Sequence, residues 1–278
     1  MVASVDGTST QAGNQPASTN NSLLNFATPT EIVELPSRGI FYGPGHPLHG
    51  KETVEIKFMT AKEEDILTSP ALLRKGQALE RLMQSILVED VNPLDLLIAD
   101  RNAILMAARV TGYGAEYLVT LACPTCDKTY ENEFDLSRYA EGYDFEDPEE
   151  SLFNFTRDKT FEIELPTSKV LVEIRAMTGR EEDLLSRARD MKAKNNLPET
   201  NLTDLFRAMI IKANGIEDKA QIAEFIDNMP AMDSRYLRVA YTKAMPSVNF
   251  SQAAECTNCG NIAETEVPVT AEFFWPKQ

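Results

Sequence analysis

Val54-Glu-Ile-Lys-Phe-Met-Thr-Ala-Lys-Glu-Glu-Asp-Ile-Leu67 aligns without gaps on Val172-Glu-Ile-Arg-Ala-Met-Thr-Gly-Arg-Glu-Glu-Asp-Leu-Leu185, with nine of fourteen positions identical. That density of identity marks an internal duplication, which decides the fold before any secondary structure is assigned. Upstream, Glu34-Leu-Pro-Ser37 matches Glu164-Leu-Pro-Thr167; downstream, Asp100 and Asp233 each stand 23 residues before the first cysteine of a CxxC pair. Each pair is followed by a similar outgoing segment, Glu131-Asn-Glu133 and Glu264-Thr-Glu266. The order in both halves is a Leu-Pro turn, a strand, the Met-Thr-x-x-Glu-Glu-Asp segment, helices and a CxxC.

The duplication divides the chain into residues 31–138 and 160–278. Between them, Glu141 to Glu150 holds six acids in ten residues, so 139–159 reads as a solvated acidic linker. Residues 1–30, rich in Ser, Thr, Asn, Gln and Gly, read as a flexible arm that a partner would order. The expected fold class is α+β: two tandem repeats related by approximate two-fold pseudo-symmetry, each a strand and a small helical body ending in a zinc-ribbon-like CxxC β-hairpin.

Val54, Ile56 and Phe58 alternate with charged residues, as do Val172, Ile174 and Ala176, the period of a half-buried strand. Thr60 and Thr178 stand three residues before Glu63 and Glu181, the spacing of a capping box, so a helix starts there. This accounts for Glu63, Glu64 and Asp65, and for Glu181, Glu182 and Asp183, as first-turn acids rather than a catalytic cluster. Leu79, Leu82, Met83, Ile86 and Leu87 mark one apolar helical face. Asn92-Pro93 supplies a cap and a first helical position, and Asp100 is expected to cap a helix running to Val110 and stopped by Gly112 and Gly114. A further helix is expected from about Arg235 to Ala244, and Tyr117, Val119 and Leu121 alternate as a strand into the first cysteine pair.

The chain has 278 residues, long enough for one large or two small domains. Acids outnumber bases by 43 to 27, a net charge of −16, which makes nucleic acid a poor partner unless the bases gather on one face. No stretch is apolar enough to span a membrane, and the opening residues lack the basic start and apolar run of a secretory signal, so synthesis in the cytoplasm is expected. GxSxG, HExxH and phosphate-binding Gly-rich loops are missing and there are only two histidines, so no catalytic residue is assigned and the protein is not expected to be an enzyme.

The chemistry lies in Cys123-Pro-Thr-Cys126 and Cys256-Thr-Asn-Cys259. A CxxC at the tip of two strands is a zinc knuckle, and structural Zn²⁺ takes four ligands. The economical reading is one Zn²⁺ per chain shared by Cys123, Cys126, Cys256 and Cys259, pinning the two repeats together. A redox pair, local disulfides and plain reduced thiols remain alternatives. His46 and His49 form an HxxH in the loop Gly43 to Gly50 with no supporting ligand nearby, and read as loop histidines. Phe41, Tyr42, Phe273, Phe274 and Trp275 are either interface anchors or core.

Leu35-Pro-Ser-Arg-Gly-Ile-Phe-Tyr42, Met59-Thr60 with Glu63-Glu64-Asp65, Asp100-Arg101, and Gly114-x-x-Tyr117 before Cys123-Pro-x-Cys126 resemble the baseplate hub proteins of T-even-like contractile-tail bacteriophages. Glu272-Phe-Phe-Trp-Pro276, after a Cys-x-x-Cys-Gly, is similar to the carboxyl end of related phage tail proteins. The resemblance is strongest over 31–136. It implies a non-enzymatic virion component of the tail baseplate, docking to other baseplate and tail subunits, with no small-molecule substrate. Two other readings are a tail or hub assembly chaperone that leaves before maturity, and a zinc-ribbon regulator binding polymerase or nucleic acid. Against the last, the residues flanking the cysteine pairs are acidic, with Lys128 the exception.

Overall fold

A computed structural model describes residues 28–137, 139–144, 153–248, 250–267 and 271–274. Most of the expected arm, the middle of the acidic linker and Trp275 lie outside these residues. The described chain is mixed helix and sheet, an α+β fold with eight α-helices and small antiparallel sheets.

It opens with β1 (Thr30–Glu34) antiparallel to β2 (Thr53–Lys57), Val33 facing Val54. The lead element is therefore a hairpin, where the sequence pattern indicated one strand. Its inward residues Val33, Val54 and Ile56 are buried, while Ile32 points outward at 70% exposed. Helix α1 (Ala61–Thr68) follows at once, and Thr60 and Glu63 form the capping box, each satisfying a backbone N–H of the first turn. Short α2 (Pro70–Arg74) leads to α3 (Ala78–Ile86), which buries Leu82, Met83 and Ile86. Asn92 caps only a 3₁₀ turn, Pro93–Asp95, rather than an α-helix.

The central helix α4 (Ile98–Tyr113) buries Ala103 through Arg109 without a break, so it runs through the middle of the core rather than over it. Its N-cap is Leu97, not Asp100, and it passes through Gly112 to end at Gly114, whose φ of 85° suits a glycine cap. Gly112 lets Met59 pack close against the helix instead: a Cβ there would lie 2.2 Å from Met59 Cε, the mobile end of that side chain. Strands β3 (Glu116–Ala122) and β4 (Thr129–Asp135) then form the first cysteine hairpin.

The flanks of the acidic span carry β5 (Tyr143–Asp144) and β6 (Asn154–Phe155), and Tyr139, Tyr143 and Phe155 pack on the core. A four-stranded sheet follows, ordered β6, β7 (Thr160–Glu164), β8 (Leu171–Arg175), β9 (Ile210–Ala213). Between β8 and β9 lie α5 (Gly179–Lys194), started by a capping box of Thr178 and Glu181, and α6 (Asn201–Met209). Helices α7 (Lys219–Asp227) and α8 (Ala231–Ala244) complete the helical part, α8 starting a turn earlier than its expected beginning near Arg235 because Pro230 supplies an extended N-cap. β10 (Ser247–Val248) pairs with β5, and β11 (Ser251–Glu255) with β12 (Ile262–Glu266) forms the second cysteine hairpin.

One apolar core draws on residues from Val33 to Phe274. Phe41, Tyr42, Phe273 and Phe274 all belong to it, so these aromatics are core. α5 docks directly on the start of α4: Gly179 N donates to Leu96 O at 3.0 Å and Ile98 N to Met177 O at 3.2 Å. Arg180 pairs with Asp95, and Arg101 pairs with Glu182. Gly179 makes room for that second pair, since a Cβ there would fall 2.6 Å from Arg101 Nη1.

Candidate metal centre

The cysteine hairpins are built alike, strand by strand. Cys123 N donates to Lys128 O and Cys256 N to Asn261 O, at 2.9 and 2.8 Å. Asp127 N donates back to Cys123 O and Gly260 N to Cys256 O, at 2.9 and 2.8 Å. Each turn closes through a left-handed residue directly after the second cysteine, Asp127 at φ 55° and Gly260 at φ 69°. Gly and Asp are residue types that tolerate this conformation, and it curls the turn so that both side chains of a pair point the same way. Neither pair opens a helix; each leads into a strand.

The two hairpins lie against each other. Gln252 on β11 grips the backbone of Asp135 on β4 at both ends, its Oε1 accepting from Asp135 N at 3.1 Å and its Nε2 donating to Asp135 O at 2.6 Å. Asn258 Nδ2 reaches across to Thr129 O at 3.3 Å. Between them the tips bring all four sulfurs within 4.8 Å of one another. Cys123 Sγ stands 3.7 Å from Cys259 Sγ, and Cys126 Sγ 3.8 Å from Cys256 Sγ. Each of these close contacts joins one hairpin to the other.

These distances suit a shared ion. Sulfurs at about 2.3 Å from one tetrahedral metal stand about 3.8 Å apart, whereas a disulfide would hold them at about 2.05 Å; all four cysteines are free thiols. Four thiolates form a soft donor set that favours zinc over calcium or magnesium.

The electrostatics point the same way. The backbone N–H of Thr125, ahead of burial and the neighbouring sulfurs, brings the Cys123 thiol down to about 6. Burial opposes ionisation of Cys256, yet the backbone N–H groups of Asn258 and Cys259 prevail and its thiol is lowered. Cys259 receives a favourable N–H from Asn261, but burial and three adjacent sulfurs push it up to about 12. A cluster whose turns invite thiolates while mutual repulsion opposes the last of them is one that a cation would stabilise. Tyr130 and Ala254 shield the buried sulfurs of Cys123 and Cys256, while Cys259 is exposed.

Gln252 and Asn258, which bind the hairpins together, escaped the sequence reading, because a polar residue on a strand or turn carries no mark of a partner more than a hundred positions away. His46 and His49 lie apart from the sulfurs in their loop. The His46 ring stacks on Tyr42 at 4.1 Å, and His49 Nδ1 donates to Tyr42 O at 2.6 Å. Burial lowers the His46 pKa. Both serve the loop.

The remaining sequence markers meet each other. Asp100 accepts from Ser37 N at 2.9 Å, and from Ser37 Oγ and Tyr42 OH at 2.6 Å each. Asp233 accepts from Thr167 N at 2.7 Å and Ser168 N at 2.8 Å. Each aspartate is fully buried and ties the Leu-Pro turn of its half to the helix that leads to the cysteine hairpin.

No curated protein and no solved structure matches this chain. A family model described as T4 bacteriophage base plate protein matches residues 44–275. That span takes in both cysteine pairs, both buried aspartates and both hairpins, and the chain belongs to the T4 bacteriophage base plate protein family.

Proposed function

We propose that this protein is a non-enzymatic structural component of a contractile phage tail, placed at the baseplate hub and acting by docking to other baseplate and tail subunits. Membership of the base plate family supports the setting. The observation that carries the mechanical reading is the convergence of Cys123, Cys126, Cys256 and Cys259 from hairpins at opposite ends of the chain. In this reading one structural Zn²⁺ per chain is held by these four side chains and clamps the hairpins, giving neighbouring subunits a fixed surface to dock on.

The reading also takes residues 31–138 and 160–278 as two copies of one unit, joined through 139–159 and related by approximate two-fold symmetry. Its support is the order in which elements recur: hairpin, capping-box helix, a helix with aspartate at its third position, cysteine hairpin. A nucleic-acid-binding role at the knuckles is disfavoured because Glu131, Glu133, Glu255, Glu264 and Glu266 all stand exposed around them.

Elemental analysis of the purified protein, beside a variant carrying Cys256→Ser and Cys259→Ser, tests the clamp. About one zinc per chain in the wild type, lost in the variant, is the expected result. Two zincs, or none, would overturn the shared site. Quantifying the chain in purified virions tests the residence: a fixed copy number is expected of a resident subunit, while absence from virions together with presence on tail intermediates would make it an assembly chaperone.

A further inference from the structure

Helix α8 is amphipathic in an unusual sense, because both of its faces are apolar at their centres. Leu237, Ala240 and Ala244 are buried against the body of the protein, while Met232, Tyr236 and Val239 stand 62%, 40% and 50% exposed on the other side. The exposed three fall at i, i+4 and i+7, which stacks them in one stripe along the helix. Arg235, Arg238 and Lys243 are exposed alongside. Among the described residues none of these three cations forms an ion pair with another group of the chain. The one acid on α8, Asp233, is buried and spent on Thr167 and Ser168. In a chain of net charge −16, this helix therefore presents an apolar stripe edged on one side by Arg235 and Arg238 and continued by Lys243 one turn beyond Val239.

We propose that the outer face of α8 is a docking surface for an acidic, apolar-centred surface of a different protein subunit. Met, Tyr and Arg are the residue types enriched at the centres of protein interfaces, and they supply its anchors. The unpaired cations set the sign of the partner, since opposite charge at the rim steers encounter and fixes register. A second copy of this chain meeting the same face is disfavoured as occupant, because a two-fold contact would set Arg235, Arg238 and Lys243 of one copy against those of the other. Nucleic acid fits poorly too: three cations make a weak phosphate track, and a protruding Met–Tyr–Val stripe has no use against a phosphate backbone.

This inference rests on the baseplate reading, and its test separates the two. A photo-crosslinking benzoylphenylalanine replaces Val239 in the phage gene, tails are purified and irradiated, and the adducts are identified by mass spectrometry. The expected product joins residue 239 to an acidic segment of another tail protein. Adding Arg235→Glu and Arg238→Glu should cut the yield about ten-fold or more, with an unchanged thermal melt showing that the variant is folded. An adduct with a second copy, with nucleic acid, or no adduct in tails that contain the chain overturns the docking surface and leaves the baseplate reading standing. Absence of the chain from tails and tail intermediates alike would overturn the baseplate reading itself.

Discussion

Asp100 and Asp233 occupy the third position of their helices, where an acid ordinarily serves the helix N-terminus. Both instead reach back to the loop following a Leu-Pro pair, 63 and 65–66 positions earlier in sequence. Their environments differ. Burial, the largest influence on Asp100, pushes its carboxyl up in spite of Ser37 and Tyr42. At Asp233 burial pushes the same way, but the bonds from Thr167 and Ser168 prevail and the carboxyl is lowered. Glu63 is likewise lowered, its bonds from Ser85 and Thr60 outweighing burial, and so is Asp204 beside Lys192. A carboxylate depressed in the folded state contributes stability that is present above its unfolded pKa and is lost as pH falls through the folded value. Asp100, with the opposite shift, gains on acidification and offsets part of that loss. Urea midpoints are therefore expected to hold near neutrality and fall below about pH 4, where unfolded carboxylates take up protons. Asp233→Asn should lower the midpoint at pH 7 and flatten the acid limb; an acid limb as steep as the wild type's would remove Asp233 from the account.

At the scale of elements, the loop from Gly39 to Gly50 shows how one glycine can hold a structure that another merely permits. Both are left-handed, Gly39 at φ 69° and Gly50 at φ 66°. A Cβ on Gly39 would lie 2.5 Å from Leu48 O, Lys51 N and Lys51 O, all backbone atoms that cannot swing aside, whereas a Cβ on Gly50 meets open space. Gly50→Ala should cost about 1 kcal/mol, the ordinary penalty for a side chain in that conformation. Gly39→Ala should cost about 3 kcal/mol or more, because the backbone must shift as well. Equal losses by chemical denaturation would show that the loop yields. The sequence displayed this loop as a run of Gly, Pro and His but gave no hint of which glycine was crowded, since crowding is a tertiary property.

The same limit explains the missed strands. β1 is five residues long with Ile32 turned outward, so its alternation looks accidental without β2 beside it. The capping boxes were legible because their partners lie three residues apart, and the cysteine pairs because both members of a CxxC are local. Arg109 was not: in sequence it interrupts an apolar run, whereas in the fold it is fully buried, with Nε donating to Phe273 O at 2.7 Å and Nη2 to Glu116 O at 2.9 Å. It thereby fastens the C-terminal turn to the root of the first cysteine hairpin.

For the whole molecule, the cysteines and the main core form two clusters of contact, with half-buried Leu121 packed against both. The main core contains Tyr117, Phe134 and Val267, at the roots of the hairpins, and no cysteine. The sulfurs belong to a small second cluster with Tyr130 and Ala254 at the tips. If the proposed ion holds the tips while burial holds the roots, the two should fail independently, because local opening needs only the free energy of the contacts it breaks. Without a cation the tips retain the Asn258 bond and a set of sulfurs that repel one another when ionised, the Gln252 bonds lying at the roots. Removing metal with a chelator is therefore expected to raise amide hydrogen exchange over residues 121–131 and 254–263. Protection in α4 from Ala103 to Ala108, wholly inside the main core, should persist, and far-UV circular dichroism should change little. If α4 loses protection together with the tips, the ion supports the entire fold rather than the junction of the hairpins. If neither changes after metal is shown to be gone, packing alone joins them and the clamp has no mechanical role.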